Sequence, residues 1–305
     1  MSVAVSAITL SSAAGLEATF VPGVGMVGAS LRHEGEEVLG QRGGLSAYAE
    51  RGSSFGIPLL YPWANRLSGF RYHAAGREVT LDPSSPLLHL EEHGLPIHGL
   101  LAASPYWEVV EQGPARVSAR LDFAAHLDLL AAFPFPHTVL MEVALREATL
   151  TIRTVVEPSG EVPVPVSFGY HPYLTLPGVP REEWIVTLPV RRRADLDERG
   201  IPTGDDQWVH IEPGPLGGRT FDDLYDVLQP PLRFGLAGGG RSIDVDFVYG
   251  YPMAQVFAPP GSPFICFEPM TAPTNALVEG GAALPLLPPG QRFAAEFSIT
   301  VTAQA

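Results

Sequence analysis

Apolar and polar side chains alternate along this chain with period two, the mark of strands that bury one face and wet the other. Val117, Ala119, Leu121 and Phe123 alternate with Arg116, Ser118, Arg120 and Asp122. Ile243, Val245, Phe247 and Tyr249 alternate with Ser242, Asp244, Asp246 and Val248. Phe293, Ala295, Phe297, Ile299 and Val301 alternate with Ala294, Glu296, Ser298 and Thr300. The spans 140–156 and 183–190 read as further strands, bounded by prolines and turn residues such as Pro158-Ser159-Gly160. A helical period shows only at 126–132, and Pro134 and Pro136 end it. The Gly238-Gly239-Gly240 and Gly280-Gly281 stretches read as hairpin turns. Many strands, few and short helices and no composition break predict an all-β chain. We expect a large antiparallel β-sandwich forming one domain over 1–305, with a concave side able to host a ligand.

Composition narrows the function. The 19 Lys and Arg against 33 Asp and Glu give a formal charge of −14, which opposes nucleic-acid and anionic-membrane partners. The 32 Gly and 31 Pro of 305 residues favour turns over long helices. One cysteine, Cys266, excludes an intramolecular disulfide framework and a multi-cysteine zinc cluster. The N-terminal stretch lacks a basic region followed by an unbroken apolar run, no span approaches the length of a membrane helix, and lipidation motifs are absent. These observations lead to the expectation of a cytoplasmic protein.

Four segments break the strand rhythm and concentrate polar groups among aromatics and prolines: 61–66, 96–99, 169–173 and 267–270. His171 lies between Tyr170 and Pro172-Tyr173, so a strand delivers an imidazole among aromatic rings, the kind of wall on which the C–H face of a sugar packs. Taken alone it reads equally as a satisfied core histidine. Glu268 ends the apolar run 264–267, where a carboxylate is costly to bury unless its pKa rises, as a general base near neutrality requires. The alternative is a glutamate at a sheet edge turned to water.

The combination of PWANRLSGF (62–70), PIHG (96–99), FPFPHTVLMEVAL (133–145), GYHPYLTL (169–176), DERGIPTG (197–204), FDDLYD (221–226) and EPMTAPTNAL (268–277) resembles the aldose 1-epimerase, or galactose mutarotase, family. The matches run in order across most of the chain, and HPY followed about a hundred residues later by EPMTAPTNAL is the specific part. The resemblance implies a supersandwich of mostly antiparallel sheets and interconversion of the anomers of a free aldohexose, with no cofactor and no metal. It makes Glu268 the general base and His171 the general acid. It places His98 and Arg66 on the sugar, and Asp222 on its hydroxyls, with Asp223 or Asp226 as alternatives for that last position. Asn65 supports the loop. The expected partner is a small-molecule sugar; sequence does not set oligomeric state, and the preferred sugar depends on the loops around Asp222 and Trp63.

Particular residues carry other readings. His89-Leu90-Glu91-Glu92-His93 matches a zinc-protease pattern that needs a helix, but Pro83, Pro86, Gly94 and Pro96 leave no room for one, so a loop or strand of solvated charge is expected. A hexose 6-phosphate substrate needs cations, and Arg191-Arg192-Arg193 is the one basic cluster, interleaved with acids as at a solvated strand end. A sugar-binding regulator without turnover would have lost the acid or the base, and both are present.

Overall fold

The computed structural model describes residues 6–52, 55–227 and 231–303. Residues 1–5, 53–54, 228–230 and 304–305, included in the expected domain span, lie outside the described residues. The chain is mostly β, arranged in antiparallel sheets. A nine-stranded sheet runs in the order Glu108–Gly113, Arg116–Asp122, His137–Arg146, Thr149–Pro158, Phe293–Ala303, Arg241–Tyr249, Leu232–Gly238, Ile185–Thr187 and Gly214–Pro215. A second sheet runs Pro202–Trp208, Arg192–Leu196, Phe221–Asp226, Met253–Ala258, Ile265–Met270, Gly169–Tyr170 and Leu59–Leu60, with Tyr173–Leu174 also paired to Ile265–Met270. The N-terminal strands Ile8–Ser11, Leu16–Val21, Val27–His33 and Glu36–Glu37 form a third.

The alternating runs bury the side chains that their period selects. Val117, Ala119 and Leu121 are buried, as are Ala295, Phe297, Ile299 and Val301. At Tyr249 the alternation fails: the ladder to Phe293–Ala303 shifts register after Phe247, and the ring turns outward to hydrogen-bond Glu296 through its hydroxyl. The span 140–156 resolves into two ten-residue strands joined by a tight turn, whereas 183–190 holds only the short strand Ile185–Thr187, preceded by a 3-10 turn. The predicted helix is Leu127–Ala132. A second, Gly44–Arg51, was hidden by the glycines that flank it; Gly52 closes it in the left-handed region at φ 64°. Gly239 and Gly240 make the expected hairpin, but Gly280 and Gly281 instead link the short helix Ala276–Glu279 to a 3-10 turn.

The two large sheets meet through aromatic side chains. Phe267 lies 5.3 Å from Phe234 and Tyr170 lies 4.9 Å from Phe297, ring centre to ring centre. Such contacts bury large apolar surface, on the order of 2–3 kcal/mol per ring. They also orient the second sheet: with Phe267 directed at the nine-stranded sheet, Cys266, Glu268 and Met270 must project from the opposite face.

Candidate functional site

That opposite face floors a cavity of about 530 Å³ whose lining includes Glu268, His171, His98, Arg66, Asp222 and Asn65, all six residues singled out in the sequence. The volume lies in the range of small-molecule sites. Glu268 is not at a sheet edge; all six residues of Ile265–Met270 are buried, and the strand continues through Pro269. His171 follows Gly169–Tyr170, whose pairing with Ile265–Met270 carries the imidazole alongside Glu268. Nε2 of His171 lies 3.1 Å from Oε1 of Glu268, with side chains 6% and 2% exposed.

Burial acts on both groups toward neutrality. It pushes the Glu268 carboxyl well above its ordinary range, with the Asp222 charge adding to the rise and Arg66 opposing it. It pushes the His171 imidazole well below its ordinary value, with His98 and Arg42 in the same direction. A carboxylate beside an imidazolium and a carboxylic acid beside an imidazole both carry zero net charge. Both shifts favour a pair that shares a single proton over one that is doubly protonated or fully deprotonated.

The aromatic wall differs in detail from expectation. Tyr173 stacks on His171 at 4.5 Å and 15°, and Phe257 and Phe264 complete the wall. Tyr170 is instead buried beneath the sheet, bonded to Thr154. Trp63, expected near the specificity loops, is fully buried and does not line the cavity.

The remaining groups are set by loops held on one another's backbones. Asn65 and His98 both adopt positive φ, at 57° and 63°, and the His98 amide donates to the Asn65 carbonyl at 3.0 Å. Asn65 Oδ1 accepts from the Arg66 amide at 2.9 Å and from its guanidinium at 3.2 Å, so Asn65 lines the cavity and braces Arg66 together. The Arg66 carbonyl accepts from the amide of Asn275, within the 268–277 motif. His98 is held neutral, its pKa pushed down to about 3 by burial and by the nearby Arg66 and His89.

Among the three aspartates, Asp222 is the one that lines this cavity. It pairs with Phe257 across the ladder and so shares that residue's face, whereas Asp223 falls on the other face, 3.6 Å from Arg193. Asp226 pairs with Arg192 at 3.3 Å.

Gln255 and Arg42 line the cavity without having been singled out in the sequence. Gln255 lies opposite Glu268 in the ladder, 2% exposed, and donates to Asp222 Oδ1 at 2.7 Å; its Oε1 has no hydrogen-bond partner among the described residues. Its signal in sequence was a lone amide within the apolar strand Met253–Ala258. Arg42 donates to the Tyr173 hydroxyl at 2.8 Å and lies over the Tyr173 and Phe264 rings. Arg191, Arg192 and Arg193 do not line the cavity.

The 89–93 segment forms a short strand, His89–Leu90, and a turn, not a helix. Glu91, Glu92 and His93 bring one ligand atom each within 4.8 Å of one another. Glu91, expected to be solvated, is only 9% exposed at its side chain and faces Arg66.

Antiparallel sheets carrying a buried carboxyl and imidazole beside an aromatic-walled cavity define a class of small-molecule site, and comparison with known proteins supplies the family. The sequence matches the aldose 1-epimerase family over residues 6–300, and the chain belongs to it. It is 28% identical over 253 residues to the uncharacterized protein YihR of Escherichia coli (strain K12), covering 79% of this chain and 77% of that one. In fold it is similar to a galactose mutarotase-like protein from Clostridium acetobutylicum, with TM-score 0.84 at 17% identity over 98% of this chain and 95% of that one. The GalM/aldose epimerase homologue from C. elegans gives TM-score 0.79 at 18% identity, over 98% and 99%. Among the described residues no helix is long and apolar enough to cross a membrane.

Proposed function

We propose that this chain interconverts the α and β anomers of a free aldohexose by acid–base opening and closing of the ring. The observation that carries the reading is the buried His171–Glu268 pair, 3.1 Å apart at the wall of a cavity of about 530 Å³. In the proposed reaction the Glu268 carboxylate takes the proton of the C1 hydroxyl while the His171 imidazolium protonates the ring oxygen. The bond between C1 and the ring oxygen breaks, leaving an aldehyde, a carboxylic acid and a neutral imidazole. Rotation about C1–C2 presents the other carbonyl face. Closure then returns the carboxyl proton to the C1 oxygen and the ring-oxygen proton to His171.

Before and after ring opening the pair holds a single proton, placed first on the imidazole and then on the carboxyl. The chemistry thus stays within the protonation count that burial favours, and each partner contributes about 10²–10⁴-fold. Phe257 offers a face for the C–H surface of the ring. Arg66, Asp222, His98 and the free Oε1 of Gln255 are the groups available for the hydroxyls. Both anomers must bind, so specificity rests on hydroxyls remote from C1. The triple-arginine cluster lies outside the cavity, and of the two arginines that line it Arg66 is engaged by Asn65 and Glu91 and Arg42 by Tyr173, which supports a free sugar over a phosphorylated one.

Proton NMR of freshly dissolved α-anomers of several free and phosphorylated hexoses tests this, at a pH where spontaneous mutarotation is slow. Enzyme-dependent acceleration is expected for at least one free hexose. Acceleration confined to phosphorylated sugars would overturn the substrate class, and saturable binding without acceleration would make the chain a sugar-binding protein.

A further inference from the structure

We infer that Glu91 is a positioning residue for Arg66, fixing the guanidinium so that its free edge meets a sugar hydroxyl instead of collapsing onto Asp222; this inference rests on the sugar reading above. His89 and Leu90 pair with Ile97 and Pro96, and Ile97 in turn bridges to Arg66, so three stretches of chain lie side by side. The turn between the first two is closed by the Glu91 amide donating to the Leu95 carbonyl at 3.0 Å and the Gly94 amide donating to the Glu91 carbonyl at 2.8 Å. Glu91 sits at the start of that turn, beside Arg66.

Its carboxylate is engaged on both oxygens. Oε1 accepts from the amides of His93 at 2.9 Å and Leu95 at 3.1 Å, while Oε2 receives Arg66 Nε at 3.4 Å. Two backbone donors hold the carboxylate rigidly, and a rigid carboxylate fixes the guanidinium in turn. Arg66 is otherwise braced by Asn65, while Gly200 packs so closely that a β-carbon there would lie 3.0 Å from its Nη1. Its Nη2 remains 4.0 Å from Asp222, beyond a close ion pair. Asp222 is half exposed at its side chain and accepts from Gln255 on its other oxygen.

The electrostatics favour this division. Without the negative charge behind it, the guanidinium, only 16% exposed, has Asp222 as its nearest carboxylate and closes that gap. A closed Arg66–Asp222 pair would occupy donors and acceptors that a sugar needs, which raises KM while leaving the acid–base pair, and hence kcat, largely in place. The segment that resembles a metal-binding pattern thus serves the sugar cavity from behind.

Steady-state mutarotation kinetics of Glu91→Gln in wild-type and Arg66→Ala backgrounds test the inference. Gln keeps an acceptor for the turn amides and removes the charge. We expect KM to rise about tenfold with kcat within about threefold, and no further rise when Glu91→Gln is added to Arg66→Ala. An unchanged KM, or the same rise in both backgrounds, would overturn the positioning role. Should Glu91→Gln be too unstable to assay, Glu91→Asp, which keeps the charge one methylene short, is expected to show the same coupling at smaller amplitude. If the wild-type protein accelerates no aldose, the sugar reading fails and this inference with it; if the wild type is active and the coupling is absent, only this inference fails.

Discussion

Glu268 and His171 are best read as a unit, because burial disfavours a charge on either and a single shared proton leaves the pair neutral. In the proposed reaction that shared proton sets the pH dependence. Taking up a second proton charges His171, which burial, His98 and Arg42 disfavour, so activity is lost on the acid side only below the ordinary imidazole value near pH 6.5. Losing the proton ionises Glu268 beside a neutral imidazole, which burial and Asp222 disfavour, so the alkaline limb lies above the ordinary carboxylate range. A kcat/KM profile with a broad plateau between two limbs is expected. A profile with one limb, rising through pH 8 without a plateau, would mean that the pair does not share a proton. At this scale the sequence was informative where chemistry breaks a pattern: Glu268 stands out because carboxylates seldom lie in apolar strands. The signal of Gln255, one amide in an apolar strand, is weak, and Arg42 gives none because an arginine beside glycines is ordinary.

Strand register turns those residues into a site. Phe267 is fixed in the core by Phe234, so Glu268 must face the cavity, and the same parity selects Asp222 over Asp223. This parity was latent in the alternation, but which face was the cavity depended on the partner sheet. The loops were less legible, since Asn65 and His98 owe their orientation to positive φ and to backbone bonds with distant residues. Gly99 shows how tight that region is. It sits at φ 75°, and a β-carbon there would lie 2.1 Å from the Tyr61 carbonyl oxygen. Gly99→Ala is expected to cost about 2 kcal/mol or more, read as a lowered urea midpoint, and to shift His98 enough to weaken sugar binding. An unchanged midpoint would show that the loop relaxes freely around the added methyl.

Across the whole molecule, six side chains numbered from 65 to 268 line a single cavity. Alternation forecast the sheets and the motifs forecast the residues, but neither forecast the distances, which arise from how the second sheet packs on the nine-stranded one. The negative formal charge of −14 is compatible with a neutral polyol ligand and opposes an anionic one at long range. Whether one carboxyl and one imidazole pass a single proton through a sugar is read by polarimetry on Glu268→Gln and His171→Asn with the best free aldose. Both substitutions remove a titrating partner while keeping a polar side chain. Each is expected to lower kcat by about 10²–10⁴-fold with the thermal unfolding transition retained. Wild-type turnover in either folded variant would mean that the residue replaced carries no proton in the reaction.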